Sequence, residues 1–462
     1  MKKVNVLIAA VFLALCGLGW AAVVTGALSH ESQYASLVEQ ADQWMEKGLY
    51  QRAIANYQQA MQEKNSEELC CKIQAAYELR YQEAPKETLD DYMDFLQSAV
   101  DTYPASEVLV DRYVEIYVEQ EEYADAYSCL RRAMNDGYDD EHVQQRLLQL
   151  RYAYSMARSG FSGIVQCQES MYVVARNGKW NLYSLDEGYI LEQEYEYISP
   201  CNEDGAFVVT GTDSRIVDMD GMVLGVFPRH VTWAGLLSDG IIPALCDGTY
   251  SYYNDLGEKL FGDYEMAGTF QNGLAAVQTE EGWMLVDTTG ERQSGLYEEI
   301  ILDDLGRYLA DGMYIAKENG RYGIYNEKMK LKCALDCDDV DIYTQDGIIA
   351  VKQDGEWGFV DTTGEMVIQP QFQQARSFSN GLGAVCQGGK WGFINLDGQV
   401  VIECQFSDVG YMDASGICPV QEYLEAEGSL QTQSEESLKP EQVEEPQQSW
   451  GLLKLENGIL EE

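Results

Sequence analysis

The stretch EWGFVDTTGEMVIQPQF from Glu356 recurs as KWGFINLDGQVVIECQF from Lys390, and this near-copy constrains the fold more than any other feature of the chain. Aligning on its aromatic position gives Trp180, Ser214, Tyr250, Trp283, Tyr322, Trp357, Trp391 and Trp450, at steps of 34, 36, 33, 39, 35, 34 and 59. A glycine sits ten residues before the aromatic at Gly240, Gly273, Gly312, Gly347 and Gly381. Short apolar runs divided by Gly, Asp and Asn turns fill each unit, which is the pattern of strands. The four stretches around Phe372 to Phe378, Gly381 to Val385, Trp391 to Asn395 and Gln399 to Glu403 typify one unit. A unit of that size cannot bury its own apolar face, so eight of them must stack on one another.

The residue types suit such stacking. An aromatic ring offers roughly 150–250 Å² for burial, and the glycine beside it lets a neighbouring backbone approach. Asp220-Gly221, Thr289-Gly290 and Asp397-Gly398 supply the positive φ of tight turns. The DMDG stretch at 218 to 221 fits a calcium loop on paper, but the same slot is a turn in every other unit. The units closely resemble the WG-repeat family of bacterial proteins over about three fifths of the chain. Departures are Ser214, Tyr250 and Tyr322 in place of Trp, and Asn181, Arg215, Ser251 and Met284 in place of Gly.

Four strands per unit predict an eight-bladed β-propeller over 161–462, with an open β-solenoid or array as the alternative. Phe161 lies nine residues before Ser170, as Phe372 lies nine before Gly381, so the segment starts on a fourth strand, whereas its end, GLLKLENGILEE, stops after a third. The first strand is therefore expected to complete the last unit and close a ring without free sheet edges. On this reading Trp180, Tyr250, Trp283, Tyr322, Trp357, Trp391 and Trp450 are structural plates. A Glu-, Gln- and Ser-rich insertion, about 421–447, interrupts the last unit and is expected to be disordered.

Residues 33–158 follow a different rule, with apolar residues at three- and four-residue steps, as in Leu37, Ala41, Trp44 and Met45. Small and bulky residues recur as Ala53, Tyr57, Ala60; Tyr92, Leu96, Ala99; and Ala126, Leu130, Ala133. With Gly48, Tyr50, Tyr123 and Pro104 this resembles the tetratricopeptide repeat, and a last helix, about 141–158, should cap the stack. The resemblance implies a peptide groove holding Val38, Asp42 and Met45 in the first unit and Asp111, Glu115 and Val118 in the third. The same residues would equally suit a solvated face.

Lys2 and Lys3 precede an uncharged run from Val4 to Leu28, long enough to cross a bilayer. The expectation is a transmembrane anchor within 1–30, with the bulk of the chain extracytoplasmic; secretion after signal cleavage is the alternative. The 77 acidic against 31 basic residues, a net charge of -46, disfavour nucleic acid and favour a protein or peptide partner, or weakly held divalent cations. Three scattered histidines and twelve cysteines without a C-x-x-C pair offer no metal or cofactor site and no nucleophilic constellation; buried free thiols are expected.

These features predict a multidomain α-then-all-β chain acting as a non-catalytic, membrane-anchored binding or scaffold protein. Two other readings are a glycan-acting hydrolase with paired carboxylates on a propeller, and a ligand-binding envelope sensor with a membrane partner. Asp218, Asp287 and Asp361 share one slot before the turn, which points to structural roles.

Overall fold

The computed structural model describes residues 31–138, 142–168, 170–201, 205–423 and 448–459. The sequence-predicted membrane span and most of the acidic insertion lie outside them. Among the described residues no helix is long and apolar enough to cross a membrane. The chain divides between Arg151 and Tyr152 into two compact units.

The first unit is helical: α1 (31–46), α2 (Tyr50–Glu63), α3 (Glu67–Glu83), α4 (Pro85–Thr102), α5 (Glu107–Glu119), α6 (Tyr123–Asn135) and α7 (Val143–Arg151). Local signals set the boundaries. Gly48, at φ +66°, ends α1 in the left-handed conformation that only glycine adopts without cost. The Ser66 hydroxyl accepts the Leu69 N–H at the start of α3, and Pro85 opens α4, where a missing N–H costs nothing. The recurring triplets Ala53, Tyr57, Ala60; Tyr92, Leu96, Ala99; and Ala126, Leu130, Ala133 are all buried in one core. Small residues there let consecutive helices approach closely.

The cap helix is shorter than expected. α7 stops at Arg151, and the chain from Tyr154 to Phe161 is a strand paired antiparallel with Gln448–Leu455. Backbone pairing with a distant strand overrides the weak helical pattern of 152–158, and the β-unit accordingly begins before Phe161.

The second unit is an eight-bladed β-propeller. Blade 1 spans Gly163–Tyr189, blade 2 Tyr197–Val226, blade 3 Val231–Tyr264, blade 4 Met266–Asp287, blade 5 Glu299–Ala334, blade 6 Asp339–Phe372 and blade 7 Gln374–Phe406. Strands pair in chain order within each sheet. Blade 4 has three named strands, and the Trp283–Tyr297 and Val286–Arg292 bridges stand where its fourth would run. Blade 8 takes Asp408–Val409, Ile417–Tyr423 and Gln448–Leu455 from the end of the β-unit and Tyr154–Phe161 from its beginning. Gln421 to Tyr423 belong to this strand, with Tyr423 opposite Gln448, so the insertion starts later than the composition suggested.

Eight apolar clusters occupy the eight gaps between neighbouring blades. The last of them joins Phe161, Ile417 and Leu452 of blade 8 to Tyr172, Val174 and Tyr183 of blade 1. Each sheet thus buries one face on the blade before it and the other on the blade after it, and the ring closes. The repeat aromatics serve these gaps. Trp283, Tyr322 and Trp391 are buried, while Trp180, Tyr250, Trp357 and Trp450 are half-buried against the same clusters. Ser214 fills the slot in blade 2 with hydrogen bonds instead, accepting the Val231 N–H at 2.9 Å.

The glycine after the aromatic has a concrete task. Trp391 pairs with Phe406 and Phe393 with Ile402, so the outer strand carries extra residues opposite Gly392. This is a bulge, and it brings backbone close. A Cβ on Gly392 would lie 2.5 Å from the Ile402 carbonyl oxygen, and one on Gly358 2.6 Å from that of Ile368. In blade 3 the roles are exchanged: Ser251 stands after the aromatic and the facing Gly262 supplies the gap, where a Cβ would meet the Ser251 Cα at 2.5 Å. Gly392→Ala should therefore lower stability by about 1–3 kcal/mol, read from urea unfolding; a change below about 0.5 kcal/mol would show that the bulge relaxes freely.

Candidate functional site

In the helical unit the carboxylates Asp42, Glu78 and Asp111 recur at steps of 36 and 33. Each meets a cation on the first helix of the next pair: Asp42 with Lys72 at 2.9 Å, Glu78 with Arg112 at 2.5 Å, and Asp111 with Arg146. Each also accepts a tyrosine hydroxyl, from Tyr57 at 2.5 Å, Tyr92 at 3.1 Å and Tyr138 at 2.7 Å respectively. This acid–tyrosine–cation ladder ties successive helix pairs together.

The sequence-predicted groove residues take several places in this unit. Asp42 and Asp111 are two rungs of the ladder, and Glu115 is exposed and contacts Arg112 at 3.1 Å. Val38, Met45 and Val118 are half-buried against the helical core. Burial pushes the Asp42 carboxyl up, but the Tyr57 hydroxyl and Lys72 outweigh it and hold the group below 3.8. A carboxylate depressed in the folded state contributes stability above its unfolded pKa, and the contribution fades as pH falls through the folded value. Asp42→Asn should thus cost about 0.5–1 kcal/mol at pH 7 and leave the helical unit less sensitive to acid below about pH 4. Helical circular dichroism of parent and variant at pH 7 and pH 3 checks this; equal acid losses would show that the rung carries no linkage.

In the propeller the acids of the turn slot are occupied. Asp218 Oδ1 accepts the Asp220 and Met222 N–H groups. Asp287 and Asp361 accept the hydroxyl and N–H of Thr289 and Thr363 respectively. Those threonine hydroxyls are the main reason both carboxyls lie below the usual range. These groups fold turns.

A cavity of about 740 Å³ opens on the side of the ring formed by blades 5, 6, 7, 8 and 1. Its wall holds a network that no repeat pattern singled out. The Arg376 guanidinium donates to Asp408 at 3.1 Å and lies 5.4 Å from the Trp391 ring and 5.6 Å from that of Tyr411. The Tyr411 hydroxyl donates to Asp341 at 2.8 Å, and the Ser377 N–H to the same carboxylate at 2.6 Å. Burial pushes Asp341 up, while these donors and Arg376 pull it back. Asp304, on the same lining, is exposed to solvent.

Arg376 and Asp341 share one position of the repeat. The first-strand residue facing the seventh position before the aromatic is Gly235 in blade 3, Gly268 in blade 4 and Ile301 in blade 5, but Asp341 in blade 6 and Arg376 in blade 7. Two charges where other blades place small or apolar residues are a signal of specialisation. It was hidden because the spacing from this slot to the aromatic varies between units. Among the described residues no cluster of His, Cys, Asp or Glu is arranged to hold a metal ion. The eleven described cysteines are free, seven of them buried.

The family model for the WG containing repeat matches residues 250–283, 322–357, 357–391 and 391–423. No curated protein matches the sequence. Among solved structures, Kluyveromyces lactis Hsv2p is similar at 11% identity, covering 57% of this chain and 94% of its own, with a TM-score of 0.35. A eukaryotic initiation factor gives 14%, 55%, 79% and 0.39 for the same quantities. The β-propeller domain of Myceliophteria thermophila Cps50 (Swd1) gives 12%, 52%, 99% and 0.32. The blade count rests on the strand pairing given above.

Proposed function

We propose that this protein of WG-containing repeats is a non-catalytic scaffold, anchored in a membrane through residues 1–30, whose two repeat units hold protein partners on the extracytoplasmic side. The observation that carries the reading is the use made of the recurring acids. Asp218, Asp287 and Asp361 are engaged in turns, and Asp42, Glu78 and Asp111 in ties between helices. Recurring residues that build the fold leave the remaining surface to recognition. A net charge of -46 favours a basic partner and makes encounter salt-dependent.

Full-length protein solubilised from membranes and recovered through a C-terminal tag should bring down a basic protein in fixed ratio, released at high salt. Turnover of a wall glycan by the purified chain, with no partner, would favour the hydrolase instead. Protease added outside intact cells should degrade the propeller; full protection would overturn the proposed orientation.

A further inference from the structure

Five asparagines are followed directly by glycine: Asn177, Asn272, Asn319, Asn380 and Asn457. In such a pair the glycine nitrogen can reach the asparagine side-chain amide, because the second residue has no Cβ to stand in the way. The attacking group is that nitrogen after it has lost its proton. Whatever holds the proton therefore slows the attack, and the five pairs differ in this respect.

Four of the glycine N–H groups are held. Gly273 donates to the Asp239 carboxylate at 3.0 Å, Gly320 to Glu298 at 2.8 Å and Gly381 to Asp346 at 2.8 Å, while Gly458 donates to the Leu455 carbonyl at 3.2 Å. An anionic acceptor makes such a bond stronger than a neutral one does. Asn380 is fixed as well, since its Nδ2 donates to the Met412 carbonyl and its Oδ1 accepts from Gln345. Among the described residues neither the Gly178 N–H nor the Asn177 side chain has a hydrogen-bond partner. Both residues are exposed, and a Cβ on Gly178 would meet nothing within 4 Å. Arg176 and Lys179 face each other across this turn, and their positive charges favour loss of the amide proton between them.

We propose that Asn177 is a site of covalent self-modification, at which the turn between the second and third strands of blade 1 deamidates. The Gly178 nitrogen gives up its proton and bonds to Asn177 Cγ; the Cγ–Nδ2 bond breaks and ammonia leaves, closing a succinimide ring. Water then adds to one of the two ring carbonyls and its bond to the ring nitrogen opens. Opening at Cγ leaves aspartate, and opening at the backbone carbonyl leaves isoaspartate. The sum is asparagine plus water to aspartate or isoaspartate plus ammonia, with no oxidant or reductant. The fold accepts aspartate here, because Asp247-Gly248 and Asp354-Gly355 form the same turn in blades 3 and 6, with φ +52° at Asn177, Asp247 and Asp354 alike. The site is complete within blade 1 and does not depend on the scaffold reading.

Peptide mapping by mass spectrometry tests this on the full chain, incubated folded at mildly alkaline pH in water enriched in heavy oxygen. The peptide holding Asn177 is expected to convert about tenfold or more faster than those holding Asn272, Asn319, Asn380 and Asn457, the effect of one charge-assisted hydrogen bond on a rate. It should take up a solvent oxygen and divide between aspartate and isoaspartate. Asp239→Gly removes the acceptor of the Gly273 N–H and suits the φ of +53° at that position. It should speed Asn272 about tenfold and leave Asn177 unchanged. In the chain unfolded by urea the five rates should draw together. Should Asp239→Gly misfold, the folded and unfolded rates of the unaltered protein still decide. Asn177 converting no faster than the other four would overturn the proposal. So would the same spread of rates in urea, which would trace it to local sequence alone, or an Asn272 rate unmoved in a folded Asp239→Gly.

Discussion

A chain lacking residues 152–161 should lose the cooperative unfolding of its β-unit, not merely one strand's share of stability. Tyr154 to Phe161 pair along Gln448–Leu455 from Leu455 to Trp450, and their removal leaves an unpaired edge in a ring that has no other partner for it. Phe161 is 2% exposed, and loss of such a ring alone costs about 3–5 kcal/mol. The eighth gap between blades loses that residue together with the backbone ladder. Domains of this kind stand only about 5–15 kcal/mol above unfolding, so near-ultraviolet circular dichroism should show a broadened, early transition, with aggregation. A linear array would lose a peripheral strand and keep a sharp transition shifted by a few degrees. That outcome would contradict ring closure.

The second large effect concerns Trp391. Its ring is 7% exposed and packs among Phe393, Phe406, Val420 and Leu453 across the gap between blades 7 and 8. Trp391→Ala should cost about 3–5 kcal/mol. A further contribution of about 0.5–2 kcal/mol is expected because Arg376 loses the ring it lies against. Trp357, half-buried between blades 6 and 7, should sit near the bottom of the 3–5 kcal/mol range. Urea unfolding of the two variants checks the order as well as the size. Values below about 0.5 kcal/mol for both would place the rings in solvent.

How much was legible in the sequence follows from what each residue does. The repeat aromatics and turn glycines act within one unit at fixed spacing, and Phe161 matched Phe372 in the count because both end an outer strand opposite a tryptophan. The rest of the closing strand was not legible. Ser155 and Ala157 to Gly160 are exposed, since an outer strand with a solvated face shows no apolar alternation and its partner lies at the far end of the chain. The helical triplets were readable for the same local reason as the tryptophans. The roles of Asp42 and Asp111 were not, because Lys72 and Arg146 stand 30 and 35 residues away and the pairs form only when successive helix pairs stack. The cavity network was the least legible part, since Asp341, Arg376, Asp408 and Tyr411 come from three blades and meet only when neighbouring blades pack.

Native-state hydrogen exchange measures that closure directly. The amides of Tyr154 to Phe161 that pair with the last strand should be protected to the same degree as those of Gln448 to Leu455, and both should open only with the whole β-unit. Exchange of the first set at the rate of a free peptide, with the rest of the propeller protected, would contradict a ring sealed by the first and last strands of the β-unit.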